Sequence, residues 1–345
     1  MLNPPPPSPP SPPYPLPPLA RSLQHERTTA TAIGVLANNF GAAVGFLLGP
    51  ALVQGDPARL PRLLYAHAAF GVLGSAMILA HFPAEPKTPP SRAAAEMRLR
   101  AAAAEGDGQQ PLLGGGGARV GKPAAPAAPS LLGSLRACFA NRSFVLVAVA
   151  GGVTNGVFNG WSGLLSVIMG PLGYSDAEAG WFGFAVTIAC ISGGIASGRL
   201  ADTCFQRRFK RVLLVTLALC LFAFCWWTLS LPSALWGGDH GGQPPPLPSD
   251  EGSLLAAVVL AGLALGATSP LFYELVLELL YPLPEAYGAG IMSLFNNIGA
   301  VLFLAIPPSV HDTMNVVMAL VVAGAFVLVS LVVEKYNRAA AADEK

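Results

Sequence analysis

Eight apolar stretches govern what this chain can become. They fall at roughly 28–53, 62–82, 143–169, 178–198, 212–231, 253–281, 287–306 and 314–334. Each is close to or above the ~20 helical residues that cross a ~30 Å hydrocarbon core. In lipid the backbone must satisfy its own hydrogen bonds, so stretches of this length are helices. Only 11% of residues are charged and 53% are hydrophobic, whereas a soluble domain carries about 25% charged residues. The chain reads as an all-α membrane protein.

A net charge of +1 conceals an asymmetry. Arg21 and Arg27 precede the first segment, and eight basic residues from Lys87 to Arg142 lie in 83–142. Arg199, Arg207, Arg208, Lys210 and Arg211 follow the fourth segment, and the last three basic residues close the tail. Arg59 and Arg62 alone fall on the opposite side, so the positive-inside rule assigns both termini to the cytosol. The sequon Asn141-Arg142-Ser143 is then cytosolic and unglycosylated.

Two segments share a rare signature. Asn38-Asn39-Phe40-Gly41-Ala42 and Asn296-Asn297-Ile298-Gly299-Ala300 each precede a proline at one offset, Pro50 and Pro308. Paired asparagines are costly in hydrocarbon unless they find partners. The copies lie six apolar segments apart, the mark of two six-helix halves related by a parallel repeat, as in secondary transporters. Equivalence of the first and seventh segments puts the break between halves in 83–142. The expected organisation is a Pro-rich disordered arm (1–27), two helices closing a first half (28–82), a flexible linker (83–142), a six-helix second half (143–336) and a tail (337–345). The eight helices correspond to helices 5–12 of twelve, with four expected before them. The proline tract is first a solvated arm and only second an SH3 or WW ligand.

Polar residues inside apolar helices mark the candidate site. Asn155, Asn159, Ser162 and Ser166 share one face of segment 143–169 at i, i+4, i+7 and i+11. Such a stripe faces protein or water, either bonding between helices or lining a cavity. Trp161 beside it can stack on a substrate or sit in the core. Gly152, Gly156 and Gly160 form a face for close helix approach, and Gly41, Gly45 and Gly49 are read in the same way. Glu274 and Glu278 are the carboxylates well inside a predicted span. Glu274 lies about 10 Å from the cytosolic end near Tyr281 at ~1.5 Å per residue. Burial raises a carboxyl pKa, so Glu274 suits proton coupling. Glu278 suits an ion pair closing the cytosolic end, with Arg199 or Arg207 as partner.

Gly160-Trp161-Ser162-Gly163 matches the GxSG nucleophile motif of intramembrane proteases, but His240 and His311 fall in loops on the far side and His67 has no reason to pair with Ser162. No enzyme is expected. Cys138, Cys190, Cys204, Cys220 and Cys225 have no metal or disulfide spacing. No metal, cofactor or nucleic-acid partner is expected.

Gly198-Arg199-Leu200-Ala201-Asp202 with Arg207-Arg208 resembles the gating loop of the major facilitator superfamily, and Gly45-x-x-x-Gly49-Pro50 the core of its fifth-helix signature. Glu26-Arg27-Thr28-Thr29-Ala30-Thr31-Ala32-Ile33, Gly156-Val157-Phe158-x-Gly160-Trp161-Ser162-Gly163, Ala179-Gly180-Trp181-x-Gly183-Phe184 and Pro270-x-Phe272-x-Glu274-Leu275 follow in order, with Tyr281-Pro282-x-Pro284-Glu285 after them. Together they resemble solute carrier family 49 over about 26–336. The resemblance implies a lysosomal, proton-driven carrier of a small organic solute, pyridoxine (vitamin B6) first and choline or haem as the alternative. A non-transporting membrane protein that associates with a full-length copy is the other class. Relatives of the choline type carry an amide where Asn39 stands. The implied substrate contacts are Asn39, Asn155, Asn159, Trp161, Glu274 and Asn297. Glu274 also couples protons, and Arg199, Asp202 and Glu278 gate.

Overall fold

A computed structural model describes residues 27–81, 131–205, 208–233, 245–334 and 336. Its helices are α1 (Arg27–Val53), α2 (Leu60–Ala80), α3 (Leu131–Ala140), α4 (Arg142–Gly163), α5 (Leu165–Met169), α6 (Asp176–Thr203), α7 (Phe209–Leu229), α8 (Glu251–Leu280), α9 (Glu285–Leu304) and α10 (His311–Ser330). The described residues of 27–74 and those from 131 onward form one compact unit, and residues 75–80 of α2 fall in a second. Among the described residues seven helices are long and apolar enough to cross a membrane. Side chains of α1 are described from Asn38 onward, which leaves Asn38–Val53 as a shorter apolar helix.

Three of the long helices, α4, α6 and α8, begin where a side chain takes up an orphaned N–H group. Asn141 accepts the Phe144 N–H at 3.2 Å to start α4, and Asp250 accepts that of Ser253 at 3.0 Å to start α8. Ser175 and Glu178 form a capping box on α6. α1 runs along α6, α9 along α4, α8 along α6 and α7, and α10 along α7 and α4.

Glycine sets the closest of these approaches. A Cβ on Gly156 would lie 1.9 Å from the Asn296 carbonyl oxygen, and one on Gly266 would lie 1.9 Å from that of Cys190. The stripe Gly152, Gly156, Gly160 thus receives α9, as its spacing suggests. Among the described residues nothing lies within 4 Å of the corresponding Cβ positions on Gly41, Gly45 and Gly49, so no described neighbour uses that face for close approach. In the α1–α6 contact the small residues come from α6 instead. Gly180 meets the Phe46 carbonyl oxygen and Gly183 the Phe46 ring.

Three further differences from the sequence reading have local causes. Segment 143–169 is two helices broken at Leu164, whose N–H turns back to Trp161 and Ser162 carbonyls; glycines at 160 and 163 weaken this stretch. α6 runs on to Thr203, so Arg199 and Asp202 sit in its last turns rather than in a loop. Buried Ala201 carries the packed face past the charged positions. The end of the stretch read as linker forms α3, which buries Ser134 and Cys138 at i, i+4. Pro50 lies inside α1 whereas Pro308 opens a 3-10 turn after α9, so the two prolines act differently.

Candidate functional site

α1, α4 and α6 line a half-open cavity of about 360 Å³. α1 contributes Asn38, Asn39, Ala42 and Phe46; α4 contributes Phe158, Asn159, Ser162 and Gly163; α6 contributes Thr187 and Cys190. Three carboxamides, two hydroxyls, a thiol and two phenyl rings line it, and among the described residues no carboxylate, ammonium or guanidinium does. Two hydroxyls are already committed as donors to their own helices: Ser162 to the Asn159 carbonyl at 3.1 Å and Thr187 to that of Gly183 at 2.7 Å. Their oxygens can still accept. Ser162 is therefore a helix-bonded wall residue.

Asn159 joins the two signature segments. Its side chain lines the cavity opposite Asn38 and Asn39 of α1, and its Nδ2 donates to Asn296 Oδ1 of α9 at 3.3 Å. Asn39 Nδ2 reaches Cys190 Sγ at 4.0 Å, a weak contact that a better acceptor displaces. A second space of about 780 Å³ opens beyond it at the far end of α1, lined by Gly49, Pro50, Val53, Gln54, Ser166 and Tyr174 among others. Asn159 and Ser162 face the inner cavity and Ser166 the outer space, so three positions of the α4–α5 polar stripe line cavities. The Tyr174 phenol at the outer mouth is pushed up by burial and by the carboxylates of Glu251, Glu178 and Asp250, which keeps it a proton donor.

Other expected site residues lie elsewhere. Trp161 is fully buried, and its indole N–H donates to Asn315 Oδ1 at 2.8 Å. It stacks with Phe158 and meets Phe224 and Trp227 edge-on, which agrees with the core reading and removes it from the cavity wall. Asn155 bonds the Gly151 carbonyl at 3.1 Å, and exposed Asn297 bonds that of Ser293 at 2.8 Å; neither is part of the cavity lining. Glu274 and Glu278 are buried, at 5% and 7% exposure, and both have partners. Neither lines the amide cavity. Arg199 is exposed; the Asp202 side chain and Arg207 lie outside the described residues.

Sequence reasoning missed Phe46, Thr187, Cys190 and Asn315. Asn39, Ala42 and Phe46 share a face at i, i+3 and i+7, as do Thr187 and Cys190 at i, i+3, so periodicity held the signal. Asn315 is a single amide in an apolar helix, a feature that by itself marks bonding or function.

The family model of the Major Facilitator Superfamily matches residues 19–303. Solute carrier family 49 member 4 homolog of Xenopus laevis is 31% identical over 289 residues, covering 79% of this chain and 55% of the relative. Its counterpart in Xenopus tropicalis is 30% identical with the same coverage. Choline/ethanolamine transporter FLVCR2 of Homo sapiens is 25% identical over 289 residues, 81% of this chain and 47% of that protein. The chain spans about half the length of the relatives it matches.

Proposed function

Because the chain belongs to the major facilitator superfamily, we propose that it serves as a multi-pass membrane transporter of a small organic solute. The solute is of the pyridoxine type, protons drive it, the membrane is lysosomal and both termini are cytosolic. The observation that carries this reading is the cavity between α1, α4 and α6. Its volume of about 360 Å³ falls within the ~300–1,000 Å³ of small-molecule pockets. Asn39 and Asn159 present donors and acceptors suited to hydroxyls and a ring nitrogen, and Phe46 and Phe158 present faces for an aromatic ring. An uncharged lining avoids stranding a buried charge when the solute leaves.

Glu274 is the proton-coupling residue in this scheme. In this reading Glu274, buried in α8, takes up a proton on the acidic side and releases it to the cytosol. Arg199, Asp202 and Glu278 gate at the end of the bundle where α6 and α8 finish. The test is uptake of labelled pyridoxine into vesicles carrying the protein. Glu274→Gln should remove the dependence on a pH gradient and leave counterflow at equal pH intact. Unchanged pH dependence would return Glu274 to a structural role, and no uptake by the parent chain would favour a non-transporting partner of a longer copy.

A choline-type amine is the second reading. A relative at 25% identity is named for choline and ethanolamine, and phenyl faces at Phe46 and Phe158 can hold a quaternary ammonium. Competition of unlabelled choline against pyridoxine separates the two.

A further inference from the structure

Where α7 begins and α10 stops, helix ends are tied by side chains from distant parts of the chain. α7 starts at Arg208 with no side-chain cap of its own, so its first N–H groups need acceptors from elsewhere. The segment after α10 supplies them. The Glu334 carboxylate accepts the Lys210 N–H at 2.7 Å, and the Tyr336 phenol oxygen accepts the Phe209 N–H at 3.0 Å. The exchange is reciprocal, because the Lys210 ammonium donates to the carbonyls of Ser330 at 2.8 Å and Val332 at 2.6 Å, closing the end of α10. The Tyr336 hydroxyl donates to Glu334, its ring lies 5.8 Å from that of Phe209, and the Val333 N–H donates to Ser143 on α4 at 3.2 Å. Burial and the Glu334 carboxylate push the Tyr336 phenol above the usual tyrosine range, so it keeps the proton it donates.

We propose that Tyr336 is a phosphorylation site whose modification opens this clasp and frees the segment after α10. The phenol is both donor and acceptor there, so esterification removes the proton given to Glu334. The phenolic oxygen attacks the γ-phosphorus of ATP held by a tyrosine kinase. An O–P bond forms, the bond to the ADP oxygen breaks, and the phenolic proton passes to the kinase's carboxylate base. The ester carries about −1.5 to −2 charge at neutral pH against Glu334, with the Glu278 carboxylate also acting on this position. The anion position at the start of α7 is already filled by Glu334, so the phosphate has to displace a carboxylate or leave with the chain. Tyr336 is half-buried while the clasp is shut. The kinase therefore captures the open form, and modification prevents reclosure.

The test uses the purified full chain in detergent micelles, where either face is reachable, with a soluble tyrosine kinase, ATP and Mg²⁺. Phosphate at position 336 is read by mass spectrometry. Lys210→Met removes the ammonium bonds and should raise the initial rate about tenfold, the factor that ~1.4 kcal/mol represents. Glu334→Gln, which keeps size and fold, should raise it severalfold. Phosphorylated chain should lose amide-exchange protection at Phe209 and Lys210. Equal rates in all three chains would overturn the proposal, as would a phosphorylated chain whose two amides stay protected or the absence of phosphate in both variants.

Discussion

Asn315 gives the sharpest test of how the cavity wall is held. It is 3% exposed in α10, and its Oδ1 accepts the indole N–H of Trp161 at 2.8 Å and of Trp227 at 3.0 Å. One oxygen thus pins α4 and α7 to α10. Trp161 lies between Asn159 and Ser162, both on the cavity wall. Asn315→Leu keeps most of the volume and leaves two buried donors without their acceptor. Side-chain hydrogen bonds between membrane helices average ~0.6 kcal/mol and reach ~1.7. Loss of two predicts about 1–3 kcal/mol, and stranded indoles push toward the upper end. Asn315→Asp retains an acceptor oxygen and should cost less than half as much. Reversible unfolding in mixed micelles gives the free energy, and a double-mutant cycle with Trp161→Phe isolates one bond. A Leu variant within ~0.3 kcal/mol of the parent, or a cycle additive within ~0.3–0.5 kcal/mol, would refute this role for the amide.

Gly156→Ala should abolish monodisperse purification, because its Cβ would lie 1.9 Å from the Asn296 carbonyl oxygen, whereas Gly163→Ala, with nothing within 4 Å, should behave as the parent in size-exclusion chromatography. Asn141 should carry no glycan, since its amide donates to the Leu279 carbonyl at 2.9 Å and its oxygen caps α4; Asn141→Ala should cost roughly 1 kcal/mol, read by the same unfolding assay. Tyr336 has a folded pKa raised above its unfolded value near 10. Its contribution to stability is therefore full below pH ~10 and is lost as pH rises through the folded value. The absorbance difference between parent and Tyr336→Phe should show a phenolate midpoint above 10, and a midpoint at or below it would contradict the clasp.

Much of the helical frame was legible because membrane crossing imposes length and polarity together. All eight apolar stretches form helices, with ends displaced where charged residues such as Arg199 and Asp202 continue α6. The glycine stripe on α4 could be read because its partner, α9, lies in the same compact unit. The stripe on α1 could not, since spacing shows that close approach is allowed and not that a neighbour uses it. The same limit separates Asn159 from Trp161. Helical spacing placed Asn159 on a polar face, but only packing reveals that Trp161 turns to Asn315. Phe46, Thr187 and Cys190 were hidden because apolar and small residues look alike on a cavity wall and in a core. Glu274 was found from the rarity of carboxylates in such helices, and its separation from the amide cavity required coordinates.

The central claim, that Asn39 and Asn159 hold a small organic solute between α1, α4 and α6, is tested most directly by equilibrium binding of radiolabelled pyridoxine to the purified chain. The parent should bind saturably, while Asn39→Leu and Asn159→Leu should each weaken binding tenfold or more, about 1.4 kcal/mol. Glu285→Gln, on exposed Glu285 outside the cavity, should leave it unchanged. Equal binding by the parent and both leucine variants, or no saturable binding by the parent, would contradict the assignment of this cavity.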